Sequence, residues 1–330
     1  MATRRDAAPT AEFFDPWAYL PDGSALRAAC EVGDVAAALA IMRGLTRHDD
    51  IAAVMWTIAG HAVGEDPPRL TAAIEAADDG TPLARTLRAA RYVTSGWEAR
   101  SSAQAQFVSA GQFEQFHDWL RRAERILFDV CSQHPGYVPA WEVRITTARG
   151  LDLGVGETRR RYDRLAAIDP QVFAAQQACL QQILPKWGGT WEQASQFVAE
   201  CAARAEPGSL SHLLVVDLAF ERAIDGEKTV PPAMIDRVRE AATQSVWHPH
   251  HTTGAATATA HTNLALFFTT AARPADAWHH FAALSKGPVE GMWSYLDGAE
   301  EMYRKNHDAA AKAAAKAAAK AADGRTWAPA

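Results

Sequence analysis

Apolar residues recur along almost the whole chain at intervals of three and four, which is the spacing of one face of an α-helix. The pattern predicts helices near residues 24–32, 34–45, 49–62, 67–78, 82–94, 111–134, 137–149, 156–168, 170–184, 190–204, 209–225, 231–245, 253–272, 274–284 and 288–322. No run alternates apolar and polar residues with the Val, Ile and Thr content of a strand. The pattern therefore predicts an all-α protein.

The segment 111–134 carries the strongest helical pattern of the chain. Leu120 and Cys131 belong to one apolar stripe, and Ile126 belongs to a second stripe beside it. A helix with two apolar faces needs neighbours on two sides, as in a middle layer of stacked helices. Glu124 and the arginines around it are predicted to face solvent.

Short polar segments between the helices predict where several of them begin. Asp34 is expected to cap the helix that follows it. Thr190 and Gln193 have the spacing of a capping box, in which each side chain binds the backbone amide of the other residue. Gly188 and Gly189, just upstream, are expected to hold positive φ angles in a sharp turn.

Three prolines give the chain an internal period. Pro135, Pro170 and Pro207 stand 35 and 37 residues apart, each before a predicted helix. A proline that opens a helical hairpin at about this interval is typical of tetratricopeptide repeats, because the ring is tolerated in the first helical turn and ends the preceding helix. The period predicts a series of helical hairpins.

These repeats, together with GWEARS at 96–101 and LPKWGGTW at 184–191, resemble a group of bacterial tetratricopeptide-like proteins of unknown function. The resemblance covers about residues 80–225. It implies an α-solenoid of stacked hairpins and carries no activity with it. The Trp, Gly and Tyr positions of the repeat consensus are not reproduced in each copy, so the number of repeats stays open.

The pattern and the resemblance together predict three regions. These are an N-terminal arm at 1–20, a helical-repeat solenoid at 21–308 and a helical tail at 309–330. The tail is rich in alanine, the strongest helix former, and is predicted to continue a helix that begins near Val289. Its lysines are spaced by four residues along one stripe, which leaves open whether the tail folds back on the acidic body.

Composition limits the function and the setting of the protein. The chain has 39 acidic and 33 basic residues and a formal charge of -6, which argues against a nucleic-acid partner. The widely separated cysteines Cys30, Cys131, Cys179 and Cys201 are predicted to be free and buried in a reducing compartment. No secretory leader or membrane-spanning run is recognisable, so a cytoplasmic location without a membrane partner is expected.

Tryptophan residues at predicted helix ends give the candidate binding site. Trp97, Trp187 and Trp191 lie near turns beside Arg100 and Lys186. Aromatic and cationic groups at turns can line a peptide groove, and these five residues are the candidate ligand-binding set. The alternative is that the same tryptophans wedge neighbouring hairpins together, with each indole N–H bound to a carbonyl.

Histidine residues give the alternative function. His248, His250, His251 and His261 could supply ligands to a metal ion, although no HExxH spacing is present. No Gly-x-Ser-x-Gly nucleophile motif occurs, and the glycine-rich segment 150–156 is predicted to be a turn between helices rather than a phosphate loop. The sequence therefore predicts a non-enzymatic scaffold that binds a protein or peptide without a cofactor. The alternative is a metal-dependent enzyme that uses the four histidines.

Overall fold

The structure is a computed structural model that describes residues 13–60, 67–101, 107–227 and 229–323. Throughout these residues the regular elements are α-helices and short 3₁₀ turns, with no β-strand. The prediction of an all-α protein is confirmed. Residues 1–12 of the predicted arm and 324–330 of the predicted tail lie outside the described residues.

The chain divides into two compact units. The N-terminal unit is Leu20–Glu206 and the C-terminal unit is Met1–Tyr19 with Pro207–Ala330. The helices described in the N-terminal unit are α1 (Gly23–Val32), α2 (Val35–Met42), α3 (His48–Gly60), α4 (Pro67–Ala76), α5 (Pro82–Arg100), α6 (Ala110–Gln133), α7 (Val138–Gly150), α8 (Gly154–Ala166), α9 (Phe173–Ile183) and α10 (Trp191–Arg204), with a 3₁₀ turn at Pro185–Trp187. Those of the C-terminal unit are α11 (Leu214–Ile224), α12 (Pro232–Gln244), α13 (Ala255–Thr270), α14 (Pro274–Ala283) and α15 (Ala299–Asp323), with 3₁₀ turns at Leu210–Leu213 and Gly291–Tyr295.

Helix α7 lies at the centre of the N-terminal unit. Each helix from α5 to α9 packs on the next one along the chain, and α5 and α9 also pack directly on α7. Helix α3 contacts α5, α7 and α9. Every residue of α7 except Arg149 is therefore buried, and Arg149 is half-buried.

Helix α13 has the corresponding position in the C-terminal unit. It packs on α11 and α14 and on both 3₁₀ turns of the unit. Its residues from Ala260 to Phe268 are all buried. A helix that is buried all round cannot show the one-sided apolar stripe of a surface helix, and α13 accordingly mixes small, polar and aromatic residues.

Helix α6 has neighbours on two sides, as its two apolar stripes predicted. It packs on both α5 and α7, and Leu120, Ile126 and Cys131 are buried. All four cysteines of the chain are buried and free, which confirms that part of the prediction. Glu124, however, does not simply face solvent, because it lies among buried arginines described below.

Both predicted N-cap residues accept the expected hydrogen bond, but only half of the predicted capping box is present. The Asp34 carboxylate accepts a hydrogen bond of 3.0 Å from an amide in the first turn of α2. The Thr190 hydroxyl accepts one of 3.2 Å from the amide of Gln193, which is one half of the predicted capping box. A side-chain acceptor at this position satisfies a backbone donor that has no partner inside the helix.

The two glycines before α10 are required for different reasons. Gly188 has the predicted positive φ, at +92°. Gly189 does not, so that part of the prediction was wrong. A Cβ atom at Gly189 would instead lie 1.8 Å from the carbonyl oxygen of Ile183, a distance that no side-chain atom can occupy. Close approach of two backbone segments therefore fixes glycine at this position.

The helix predicted from residue 288 onward is interrupted. The chain forms a 3₁₀ turn at Gly291–Tyr295, and α15 begins only at Ala299. The cause lies in α13, because the Asn263 side chain accepts a hydrogen bond of 2.8 Å from the Met292 amide and the buried Trp293 donates one of 3.1 Å to a carbonyl of α13. These tertiary contacts override the helix propensity of the segment.

The proline period corresponds to a repeated junction. Pro135, Pro170 and Pro207 each stand three residues before the next helical element, so they lie upstream of the first turn rather than within it as predicted. Trp141 donates its indole N–H to the carbonyl of Pro135 at 2.9 Å, and Gln176 donates its amide to that of Pro170 at 2.9 Å. The donor lies six residues after the proline in both cases.

Candidate functional site

Two of the predicted ligand-binding tryptophans meet where α5 and α7 end. Trp97 and Arg100 lie in the last turn of α5, Arg149 lies in the last turn of α7, and Trp187 ends the 3₁₀ turn before α10. The indole rings of Trp97 and Trp187 are in edge-to-face contact, with centroids 6.1 Å apart. We refer to these four residues as the aromatic–arginine cluster.

The two arginines of the cluster stack on its aromatic rings. The Arg149 guanidinium lies 5.4 Å from the ring centroid of Trp97 and 5.6 Å from that of Trp187. The Arg100 guanidinium lies 5.6 Å from Trp97 and 5.8 Å from Phe113. All four cluster residues are half-buried. Each such cation–π contact contributes about 1 kcal/mol and holds a planar set of N–H donors beside an apolar surface.

Close packing behind the cluster positions its members. The end of α7 approaches α6 closely at Gly150, where a Cβ atom would lie 2.3 Å from a methyl carbon of Leu120, so a larger residue would require that buried side chain to move. The approach brings the preceding residue, Arg149, to the indoles. The Gln182 side chain donates a hydrogen bond of 2.8 Å to the carbonyl of Trp187 and fixes the 3₁₀ turn.

The other predicted members lie close by in the sequence. Lys186 is exposed in the same 3₁₀ turn as Trp187, and Trp191 is the half-buried first residue of α10. Arg149 is not among the residues predicted from the sequence. Its only signal was a basic residue in the last turn of a helix, which is common because a cation there stabilises the helix dipole.

A second group of unusual side chains lies between α3, α7 and α9. Glu142, in the middle of α7, is 3% exposed, and the Trp56 indole N–H lies 3.0 Å and 3.1 Å from its two carboxyl oxygens. Asp49, in the first turn of α3, accepts a hydrogen bond of 3.1 Å from the amide of Ala174 in the first turn of α9. We call Asp49, Trp56 and Glu142 the acidic seam.

Both carboxyl groups of the acidic seam hold protons more tightly than usual. Burial raises the pKa of Glu142 to about 7, although the Trp56 N–H lowers it, and the nearby charge of Asp49 raises it further. Burial raises the pKa of Asp49 to about 6 against the lowering effect of the Ala174 amide and of Arg47. Both carboxyl groups therefore change protonation state near neutral pH.

Glu124 forms the centre of a buried ionic network on the other side of α7. It accepts hydrogen bonds of 2.9 Å from the Nε of Arg144, 2.9 Å from Arg161 and 2.6 Å from the hydroxyl of Thr147. The prediction that Glu124 faces solvent was wrong, because α7 and α8 bring two buried arginines to this face of α6. Charges buried in this way persist because they are paired.

Two imidazoles form a buried pair in the C-terminal unit. The Nδ1 atoms of His261 and His280 lie 3.0 Å apart, and the half-exposed ring of Trp247 covers both imidazoles. Burial lowers the pKa of His261 to about 4 and that of His280 well below its usual value. A hydrogen bond between two Nδ1 atoms needs one donor and one neutral acceptor. Because both pKa values are lowered, both imidazoles are neutral at pH 7.

The histidines of the alternative metal site have other partners. His251 is bound through both ring nitrogens, to the carbonyl of Gly208 at 2.8 Å and to a threonine hydroxyl at 3.1 Å. The ring of His248 accepts a hydrogen bond of 3.2 Å from the backbone amide of His250. Among the residues that the structure describes, no group of three or more His, Cys, Asp or Glu side chains is positioned to hold a metal ion.

Comparison of the chain with models of known protein families, with curated protein sequences and with solved structures gave no match. The resemblance to tetratricopeptide-like proteins gains no support from these comparisons and depends on the motifs and spacing described above. Within the described ranges, no helix combines the length and the apolar character needed to cross a lipid bilayer.

Proposed function

We propose that the protein is a non-enzymatic scaffold of helical hairpins that binds a protein or peptide partner at the aromatic–arginine cluster. The order of helix contacts supports the hairpin architecture. Helices α7 and α8 follow one proline junction, α9 and α10 follow an equivalent one, and α7 contacts both α5 and α9. Stacked hairpins of this kind contact mainly their neighbours and present extended binding surfaces.

The convergence of Trp97, Arg149 and Trp187 is the observation that carries this proposal. The three side chains come from separate elements, meet at one place and each remains partly exposed. Tryptophan and arginine are the residue types most enriched among those that dominate the energy of protein interfaces.

The position of α3 favours a site at the helix ends. Stacked hairpins commonly bind partners on their concave face. Here α3 packs against α5, α7 and α9, so part of the surface of these helices is already covered. The aromatic–arginine cluster lies instead at the C-terminal ends of α5 and α7, next to the turn that leads into α10.

The chemistry of the cluster favours an acidic partner segment. The guanidinium groups of Arg100 and Arg149 present planar N–H donors, which suit carboxylates, beside the apolar indole rings. We infer that the bound segment carries an aspartate, a glutamate or a terminal carboxylate next to an aromatic or aliphatic side chain.

Selection from a random peptide library on the immobilised full-length chain tests the proposal. Enriched peptides are synthesised with a fluorescent label, and their affinity is measured by fluorescence polarisation for the wild type and for Trp187→Ala and Arg149→Gln. We expect acidic peptides with at least one large apolar residue and a loss of at least about tenfold in affinity for each variant.

Trp119→Ala is the matched control, because Trp119 belongs to the same unit and carries the Arg122 guanidinium at 4.9 Å from its ring. Peptides that bind at the cluster should keep their affinity for this control. Circular dichroism confirms that each variant keeps its helical content. Failure to enrich any peptide, or enriched peptides that bind Trp187→Ala and the wild type equally, would overturn the proposal.

A further inference from the structure

We infer that the N-terminal arm of this chain docks on the C-terminal unit of a second copy, so that two copies exchange their arms and form a dimer. The described part of the arm, residues 13–19, belongs to the C-terminal unit, whereas the chain enters the N-terminal unit at Leu20. The inference concerns a different unit from the aromatic–arginine cluster and does not depend on the proposed binding function.

Aromatic side chains hold the first part of the arm. The Phe13 ring lies edge-to-face on Tyr303 of α15, with ring centroids 5.5 Å apart, and the Phe14 ring contacts Tyr303 at 6.1 Å. The Arg304 guanidinium lies 4.6 Å from the centroid of the Phe13 ring. Glu300 accepts hydrogen bonds of 3.1 Å and 2.6 Å from this guanidinium and so fixes its orientation.

Tyr19 anchors the other end of the arm. Its hydroxyl donates a hydrogen bond of 2.9 Å to the carbonyl of Gly287 and accepts one of 2.8 Å from the amide of Lys286. The Lys286 ammonium donates one of 3.0 Å to the carbonyl of Ala18 and lies 5.7 Å from the centroid of the Tyr19 ring. We call Lys286, Gly287, Tyr303 and Arg304 the arm-docking surface.

The arm-docking surface is stable only when a segment of this chemistry covers it. Tyr303 is 5% exposed beneath the arm, and its ring also contacts Phe281 and Trp293 with centroids 5.0 Å and 5.1 Å away. Loss of the arm would expose this aromatic surface to water, which is unfavourable. The arm of a second copy has the same sequence, so it can make the same contacts on this surface.

The arm can leave the surface without unfolding a helix. Residues 13–19 form bends and turns. Among the described residues, the backbone–backbone hydrogen bond of this segment is internal, from the amide of Ala18 to the carbonyl of Asp15 at 3.3 Å. The contacts described above are therefore made mainly by side chains, and each of them is weak on its own.

The hinge between the arm and α1 favours exchange. Asp22 directly precedes α1 and has a left-handed backbone, with φ +50° and ψ +30°, which is unfavourable for a residue other than glycine. It occupies the N-cap position, yet its side chain accepts no capping hydrogen bond. An N-cap aspartate normally has an extended backbone and accepts such a bond. An extended hinge would remove the strain and cap α1, and short strained hinges are a known cause of exchange between copies.

Size-exclusion chromatography with light scattering on the full-length chain tests the exchange. A monomer holds its own arm at an effective concentration on the order of 1 mM, because the tether is short. Relief of strain at both hinges lowers the concentration at which exchange competes with this closed form. We therefore expect the dimer fraction of the wild type to increase with chain concentration and to be measurable by about 1 mM.

Asp22→Gly is the first informative variant. Glycine adopts a φ of +50° without strain, so the closed form should become more favourable. We expect the dissociation constant of the dimer to increase at least about tenfold, because both hinges lose the gain from opening. Asp34→Gly is the matched control, since Asp34 is the N-cap residue of α2 and has a φ of −81°. It should dimerise like the wild type.

A mixture of two variants shows whether the arms themselves are exchanged. One variant weakens the arm, by Phe13→Ala with Tyr19→Phe, and the other weakens the arm-docking surface, by Lys286→Gln with Arg304→Gln. Each variant alone should dimerise less than the wild type. A mixed dimer contains one intact arm on one intact surface, so native mass spectrometry should find it well above the statistical share of about half of all dimers.

Circular dichroism confirms that each variant keeps its helical content, and Tyr19→Phe alone replaces the arm variant if the double substitution does not. Three outcomes would each overturn the inference. The wild type remains monomeric up to about 1 mM, Asp22→Gly dimerises as well as the wild type, or mixed dimers occur only at the statistical share. The last result would place any dimer contact outside the arm.

Discussion

Helix α7 of the N-terminal unit and helix α13 of the C-terminal unit are both buried along most of their length, and both carry ionisable side chains. Glu142 of α7 has a raised pKa and His261 of α13 has a lowered one. The cause is the same in both, because burial disfavours the charged form whatever its sign. An acid and a base in equivalent positions therefore give the two units opposite responses to pH.

The comparison also shows when a central helix keeps its charges. Arg144 lies on α7 only two residues from Glu142 and is similarly buried, yet it is paired with Glu124 and stacks on aromatic rings. Glu142 has an indole N–H as its partner. Depth in the unit is therefore a poor guide to ionisation, and the identity of the partner decides it.

The largest expected effect is a loss of stability in the N-terminal unit alone. Gly189→Val places side-chain atoms where the carbonyl oxygen of Ile183 lies, since even a Cβ would be 1.8 Å from it. We expect the N-terminal unit to lose roughly 3 kcal/mol or more of unfolding free energy. Hydrogen exchange of α7 and of α13 measures the stability of both units in one sample. Protection from exchange should fall in α7 and stay unchanged in α13.

Thr190→Ser is the matched control for this variant. The serine hydroxyl can still accept from the Gln193 amide, so the change in stability should stay within about 0.5 kcal/mol. Equal melting temperatures for Gly189→Val and Thr190→Ser would contradict the close approach of the backbone at residue 189.

The second prediction compares how the stability of each unit changes with pH. The pKa of His261 is lowered from 6.5 to about 4, so its stabilising contribution is complete above about pH 6.5 and is lost as pH falls toward 4. Between pH 7 and pH 5 the C-terminal unit should lose about 2 kcal/mol through His261, whereas the N-terminal unit should gain stability through Glu142. Denaturant titrations that follow exchange in α7 and α13 measure both changes.

His261→Gln should remove the loss of stability that the C-terminal unit owes to His261 between pH 7 and pH 5. His250→Gln is the control, because His250 is exposed. It should leave the pH response as it is in the wild type. If the stabilities measured at α7 and α13 changed in the same direction between pH 7 and pH 5, the two units would not respond oppositely to pH.

The smallest effect concerns the end of α15. Truncation after Asp308 removes the buried Ala310 and three exposed lysines, Lys312, Lys316 and Lys320, while the buried Tyr303 stays in place. The C-terminal unit should lose no more than about 1 kcal/mol, and the loss should not depend on salt, because exposed charges contribute little. Thermal unfolding at low and high salt measures this. A truncated chain that fails to fold would show that the last turns of α15 belong to the core.

Most helices could be predicted because the apolar spacing that defines each one lies within its own segment. Two helix boundaries, however, depend on residues elsewhere in the chain. The helix predicted at 82–94 continues to Arg100, since Gly96 lets it pass close to the Phe116 ring, 3.3 Å from the position of a Cβ. The break before α15 depends on Asn263, which lies on another helix. Phe116 and Asn263 both lie outside the segments whose boundaries they affect, so the local period does not reveal them.

The candidate site was predicted in part for a similar reason. Trp97 and Trp187 could be singled out because each lies at a turn beside a cation. Arg149 and Glu142 could not, because their environment is formed by other helices. Trp56, the partner of Glu142, lies 86 residues away in the sequence. Sequence patterns identify residue types and local positions, whereas pKa shifts and stacking depend on contacts between distant segments.

The proline junctions have a consequence for how this chain can change in length. Each of the two, at Pro135 and Pro170, is closed by a donor six residues further on, so this hydrogen bond is local to the junction. The donor is an indole at Trp141 and a carboxamide at Gln176, which shows that the N–H group matters more than the side chain that bears it. A segment of one period therefore carries the group that closes its own entry turn, which is one condition for copying such a segment as a unit.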